Sequence, residues 1–165
     1  MAEKEKCDEI LNPTLFGSCY PMIYKFIDLP KTATDLEFKF YNVPCEGCKA
    51  IGKYALICLD CGRKVCDSRS CLTKVADNIE MACFFAHTKT CGGGRSAFLQ
   101  SEDLSVLFVS HKVVFKKFVP LYVNNFGEGI TKNRFGPEFQ LSEEEVQKAQ
   151  KMFTSYSYSN SPFIN

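Results

Sequence analysis

The chain has 165 residues, of which 45% are hydrophobic and 24% charged, a balance that suits one globular domain with tails. Its formal net charge is +1, and its two basic doublets, Arg63-Lys64 and Lys116-Lys117, lie far apart in sequence, so the concentrated basic face that nucleic-acid binding needs is not visible. No apolar run approaches the ~20 residues of a membrane-spanning helix, which predicts a protein without membrane contact.

The chain opens with MAEKEKCDEI, which carries no apolar core of a signal peptide. That predicts a cytoplasmic protein, with access to the nucleus, whose thiols stay reduced. Residues 1–20 read as weakly ordered, because Asn12-Pro13 and Gly17-Ser18 break any helix. Met22 to Leu29 alternates as a strand would, and Pro30 ends it. Thr32 or Thr34 is placed to cap a short helix from Asp35 to Tyr41, with Leu36, Phe38 and Phe40 as its apolar residues.

The chain is organised around Cys45 to Cys91, which holds eight of the ten cysteines and one of the two histidines. Two C-x2-C knuckles, Cys45/Cys48 and Cys58/Cys61, are followed by Cys66, Cys71, Cys83, His87 and Cys91. A C-x2-C turn sets two thiolates on one side of a tight loop, the bite of a tetrahedral zinc. Two knuckles, the pair Cys66/Cys71 and the pair His87/Cys91 supply ligands for two closed structural zinc sites, with Cys83 as an alternative ligand. The spacing leaves the pairing open; the favoured arrangement puts one knuckle in each site and completes each with a later pair. A disulfide framework is the competing reading, and paired knuckles with a trailing histidine argue against it. No histidine and acid pair stands beside a cysteine in sequence, so no catalytic residue is expected.

Tyr54 to Ile57 reads as a short strand, and Gly62 suits a positive φ after the second knuckle. Asp67 or Ser70 is placed to cap a helix from Cys71 to Asn78. The glycines after Cys91 lack the Gly-Lys-Ser/Thr ending of a phosphate loop and read as a turn. Ala97 to Gln100 and Val106 to Phe115 read as strands joined by a turn at Ser101 to Ser105, with His111 as a lone structural histidine. Pro120 to Leu141 reads as an aromatic-rich loop, and ordered loops of this kind carry recognition. Ser142-x-x-Glu145 is a capping box opening a helix whose Val146, Ala149, Gln150 and Phe153 share a face. Residues 155–165 read as a frayed tail, which leaves 21–154 as an α+β zinc domain: knuckles and short helices, an antiparallel sheet and a closing helix.

Three segments taken in order resemble the C-terminal region of UBR-type E3 ubiquitin ligases, the N-recognins. They are ICLDCGRKVCDSRSC, AHTKTCGGGRSAFL and LYVNNFGE, and the resemblance spans about residues 22–153. It implies a structural or regulatory zinc module in the N-degron degradation route. The implied partners are other ligase domains or subunits, with ubiquitin or a conjugating enzyme as further candidates. The expected contact surface is the loop from Tyr122, through Glu128, to Arg134, because ordered polar loops on a rigid scaffold carry recognition. The sequence departs from the family at Ile130, where an Asp is usual, at Phe135, where a second Arg is usual, and at Leu72, where a Cys is usual. The family works through a RING and a UBR box. Neither pattern is present here, since Cys66-x4-Cys71 stands where a RING places Cys-x-His. The chain alone is therefore expected to be inactive in ubiquitin transfer. A stand-alone ubiquitin-binding zinc module is the alternative reading.

Overall fold

A computed structural model describes residues 25–51, 55–67, 71–74, 80–110, 113–117, 119–130, 136 and 138–155. Cys7, Cys19, His111, Arg134, Phe135, residues 1–20 and residues 156–165 lie outside these residues.

The first helix, α1 (Ala33–Phe40), starts where a threonine was expected to cap it: the Thr32 hydroxyl accepts from the Asp35 N–H at 3.1 Å. Its core face is Ala33, Leu36 and Phe40, an i, i+3, i+7 stripe, while Phe38 points to solvent at 80% exposure. Helical periodicity excludes 36, 38 and 40 from sharing one face.

Strands β1 (Ala55–Cys58) and β2 (Lys64–Cys66) form a hairpin around the second knuckle. Between them Gly62 has φ +79°, the left-handed conformation expected there. After two short strands and a helix described below come β5 (Arg95–Gln100), β6 (Val106–Ser110) and β7 (Val113–Lys117). The five strands make one antiparallel sheet in the order β2-β1-β5-β6-β7. The apolar run from Val106 to Phe115 is thus two strands, not one.

Alternation along these strands sends side chains to opposite faces. Ile57, Ala97, Leu99, Val106 and Phe108 face one core, which α1 and the C-terminal helix α3 (Glu143–Thr154) cover. Leu56, Cys58, Phe98, Leu107 and Val109 face a second core built from the cysteine region. A sheet buried on both sides explains the unbroken apolar runs ALIC, AFL and VLFV.

The cap of α3 forms one arm of the expected box: Ser142 Oγ accepts from the Glu145 N–H at 3.3 Å, while the Ser142 N–H donates to the Leu121 carbonyl at 2.8 Å. Ala149 and Phe153 are buried, and Phe153 stacks on Phe108 with ring centres 5.8 Å apart. Arg95 ties β5 to the end of α3. Its Nη2 donates to the Phe153 carbonyl at 2.6 Å, and its guanidinium lies 4.6 Å from the centre of the Phe153 ring.

Three other local expectations change. Within residues 25–29 there is no strand; Phe26 is buried, and Ile27 N–H donates to the Leu59 carbonyl at 2.8 Å outside any ladder. Cys71 does not open a helix. Leu72–Lys74 is a strand, β3, paired with β4 (Glu80–Ala82), and the Asp67 carboxylate expected to cap that helix accepts instead from Gln100 Nε2 at 2.6 Å. Finally, the segment Pro120 to Leu141 contains β8 (Tyr122–Val123) and β9 (Gln140–Leu141), which pair and close over the first core.

Candidate metal centres

The helix missed by sequence reading carries the later ligands. α2 (Cys83–Cys91) presents Cys83, His87 and Cys91 at four-residue intervals, and such positions lie on one helical face. The 4-4 spacing was the available signal. Cys83 and Cys91 lie roughly 12 Å apart along the axis at the usual helical rise, too far to share an ion, whereas His87 and Cys91 are one turn apart.

Two groups of four donors result. Cys45, Cys48, Cys66 and Cys71 form one; Cys58, Cys61, His87 and Cys91 form the other. In each group the donor atoms all lie within 4.8 Å of one another, so each can hold a metal ion. Each group takes one knuckle and one later pair. The β1–β2 hairpin explains the interleaving: it fixes Cys58 and Cys61 at one end and carries Cys66 at the other toward the first knuckle. There Cys66 Sγ comes 3.5 Å from Cys48 Sγ.

Cys83 stands beside the first group. Its Sγ is 3.5 Å from that of Cys71, and its backbone N–H donates to the Cys71 carbonyl at 3.0 Å. The thiol presses on the first knuckle so closely that a Cβ on Gly47 would lie 2.6 Å from Cys83 Sγ. Gly47→Ala is therefore expected to cost about 1–3 kcal/mol through overpacking. Adding Cys83→Ala should return part of that loss, because the two side chains share one space. Thermal unfolding of both single variants and the double variant checks this; an additive double variant rules the contact out.

Without metal, burial pushes the Cys58, Cys66 and Cys83 thiols up and takes Cys91 to about 11, where the neighbouring Cys61 adds to the rise. Cys48 goes the other way, to about 6, chiefly through hydrogen bonding from Cys71. A dication bound among these thiols would deprotonate them.

His87 is buried, at 4% exposure, and its ring meets the Phe98 ring edge-on at 5.9 Å between centres. His87 Nε2 faces Cys61 Sγ at 3.5 Å, and its Nδ1 pairs with Glu46 Oε2. A cysteine, histidine and acid are thus in line, contrary to the expectation from sequence. Cys58 and Cys91 converge on the same point, which makes the array a four-donor set rather than a nucleophile with its base. Burial opposes ionisation of Glu46, but hydrogen bonds from His87 and Arg63 outweigh it and hold this carboxyl below its usual range.

Lys64, buried at 6%, links this region to the first core. Its Nζ donates to the carbonyl of Phe40 at 2.8 Å and to that of Tyr41 at 3.3 Å, capping the end of α1.

Of the expected contact residues, Tyr122 is fully buried and donates its hydroxyl to the Pro30 carbonyl at 2.9 Å, so it serves the core and not a surface. Among the described residues of that segment, the exposed aromatic is Phe126, at 88%. It tops a turn in which the Asn124 carboxamide oxygen accepts from the N–H groups of Phe126 and Glu128, each at 2.9 Å.

A family model described as Proteolysis_6 C-terminal matches residues 3–155. The chain belongs to that family. As a Proteolysis_6 C-terminal member it is similar to E3 ubiquitin-protein ligase UBR2 of Mus musculus, with 29% identity over 136 residues, covering 81% of this chain and 8% of that protein. It is similar to E3 ubiquitin-protein ligase Ubr3 of Drosophila melanogaster at 25% identity over 138 residues, covering 82% and 6%. E3 ubiquitin-protein ligase ubr-1 of Caenorhabditis elegans is 27% identical over 133 residues, covering 77% and 6%. The chain therefore spans less than a tenth of the length of these relatives. No solved structure matches it. Its homology to the C-terminal region of UBR-type ligases agrees with the motif order read from Cys58 to Glu128. No helix among the described residues is long and apolar enough to cross a membrane.

Proposed function

We propose that this chain is a structural zinc module of a UBR-type E3 ubiquitin ligase in the N-degron pathway. It acts in the cytoplasm by docking onto other parts of the ligase. The observation that carries the reading is the pairing of a family match over residues 3–155 with two four-donor sets made of seven thiols and one imidazole. Thiolate-rich tetrahedral sets suit zinc, and a site with four protein ligands keeps no position for a reactive water. The zinc ions hold the cysteine region in shape, and the sheet presents the result to a partner.

The docking surface is the turn at residues 124–128. A partner that buries Phe126 gains the contact area of a full aromatic ring, and the hydrogen-bonded turn is already ordered before binding. Arg134, expected on the same surface, lies outside the described residues.

Two assays test this. With this chain as sole ligase, a ubiquitylation reaction should yield no conjugates, since its cysteine series departs from the RING order that positions a charged conjugating enzyme. Conjugates would overturn the proposal. Combining Phe126→Ala with Glu128→Ala should keep two bound zinc ions and the melting temperature. It should weaken docking to the rest of the ligase by roughly thirtyfold, as for loss of an aromatic hot spot. Unchanged docking would remove this turn from the mechanism.

A further inference from the structure

We propose that Glu46 couples the two metal sites, so that loading one raises the affinity of the other. The inference rests on the zinc reading above. Glu46 belongs to one set by position and to the other by contact. It sits between Cys45 and Cys48 in the first knuckle, where its N–H donates to the Lys64 carbonyl at 2.8 Å, and its carbonyl accepts from Lys49 Nζ at 2.7 Å. Its side chain leaves that set and reaches the second. Oε2 accepts from His87 Nδ1, and Oε1 accepts from Arg63 Nη1, two residues beyond Cys61.

The contact with His87 has a chemical consequence. With its proton on Nδ1 and directed at the carboxylate, the imidazole keeps the Nε2 lone pair toward Cys61 Sγ, among the donors of the second set. Such a carboxylate fixes the tautomer and the ring plane and makes the ligand more basic, and its loss typically costs about 10–100-fold in metal affinity. The Arg63 pair by itself is worth little, because the Arg63 side chain is 64% exposed. His87 differs: its side chain is 2% exposed, and the Glu46 carboxylate is the partner that its Nδ1 meets in the fold.

The coupling follows from where Glu46 is attached. The two thiols that flank it belong to the first set, so an ion bound there closes the knuckle and holds the carboxylate toward His87. An empty first set loses that constraint and with it part of the second site's affinity. Linkage requires the reverse effect to be equal.

Cobalt(II) titration of the full chain separates the two sites. A four-thiolate ion and a three-thiolate, one-imidazole ion absorb differently, and competition with a chelator gives each affinity. In the wild type, the two spectral components should rise together. In Glu46→Ala the four-thiolate component should keep its intrinsic affinity, while the imidazole-containing one weakens about 10–100-fold and fills separately. Glu46→Gln, whose amide oxygen still accepts from Nδ1, should recover part of the loss and guards against a variant that fails to fold. Two components that fill independently in the wild type, or that still rise together in Glu46→Ala, would overturn the coupling. A wild-type chain that takes up fewer than two ions would instead overturn the zinc reading itself, and the two failures are distinguishable in one experiment.

Discussion

Cys58→Ser is expected to unfold the cysteine region and cost the chain one zinc ion. Cys58 is fully buried at the end of β1, and it is one of the four donors of the second set. Structural zinc contributes roughly 10–16 kcal/mol of apparent binding free energy in small zinc domains. A whole domain is stable by only about 5–15 kcal/mol. A serine hydroxyl in place of the thiolate opens the set, and the remaining stability does not cover the deficit. Native mass spectrometry should count one ion fewer, and near-ultraviolet circular dichroism should lose its fixed aromatic signal. Cys83→Ser is the control: Cys83 lies outside both donor groups, so two ions should remain. A folded, fully loaded Cys58→Ser protein would refute the assignment of that site.

Phe98→Ala is expected to lower stability by about 3–5 kcal/mol, the usual cost of emptying a buried phenylalanine site. Phe98 is fully buried in the second core, opposite Cys58 in the β1–β5 register and Leu107 in the β5–β6 register. Its ring also backs His87. The loss should therefore appear twice, as a lower denaturation midpoint and as weaker metal retention in the second set while the first keeps its intrinsic affinity. Phe108→Ala supplies the comparison. It lies on the opposite face of the same sheet, so a similar loss of stability should leave the intrinsic metal affinities of both sets unchanged. If the two variants release metal alike, the sheet does not support the second set through Phe98.

The sequence by itself determined the elements whose signals are local. Ser142 and Thr32 cap helices because a side-chain oxygen reaches an N–H three residues on, a distance the chain fixes without help from the rest of the fold. The knuckles were legible for the same reason, since two thiols with two residues between them can bite one ion wherever the loop lies. Richness in Phe, Val and Leu likewise marked β5 and β6, although not which of the two cores each side chain enters.

Tertiary structure decided the rest. Asp67 was as good a cap on paper as Thr32, but Gln100, distant in sequence, took its carboxylate, and Leu72–Lys74 found a strand partner in Glu80–Ala82. Tyr122 became a core residue because the carbonyl of Pro30, far away in the chain, was there to receive its hydroxyl. The grouping of ligands was settled by the hairpin that carries Cys66 back to Cys48 and by a helix too long for Cys83 to reach the ion of Cys91. Glu46 was silent in the sequence, as its role depends on a histidine 41 residues away. Local chemistry selects donors, caps and turns; which donors meet depends on chain segments that packing alone brings within reach.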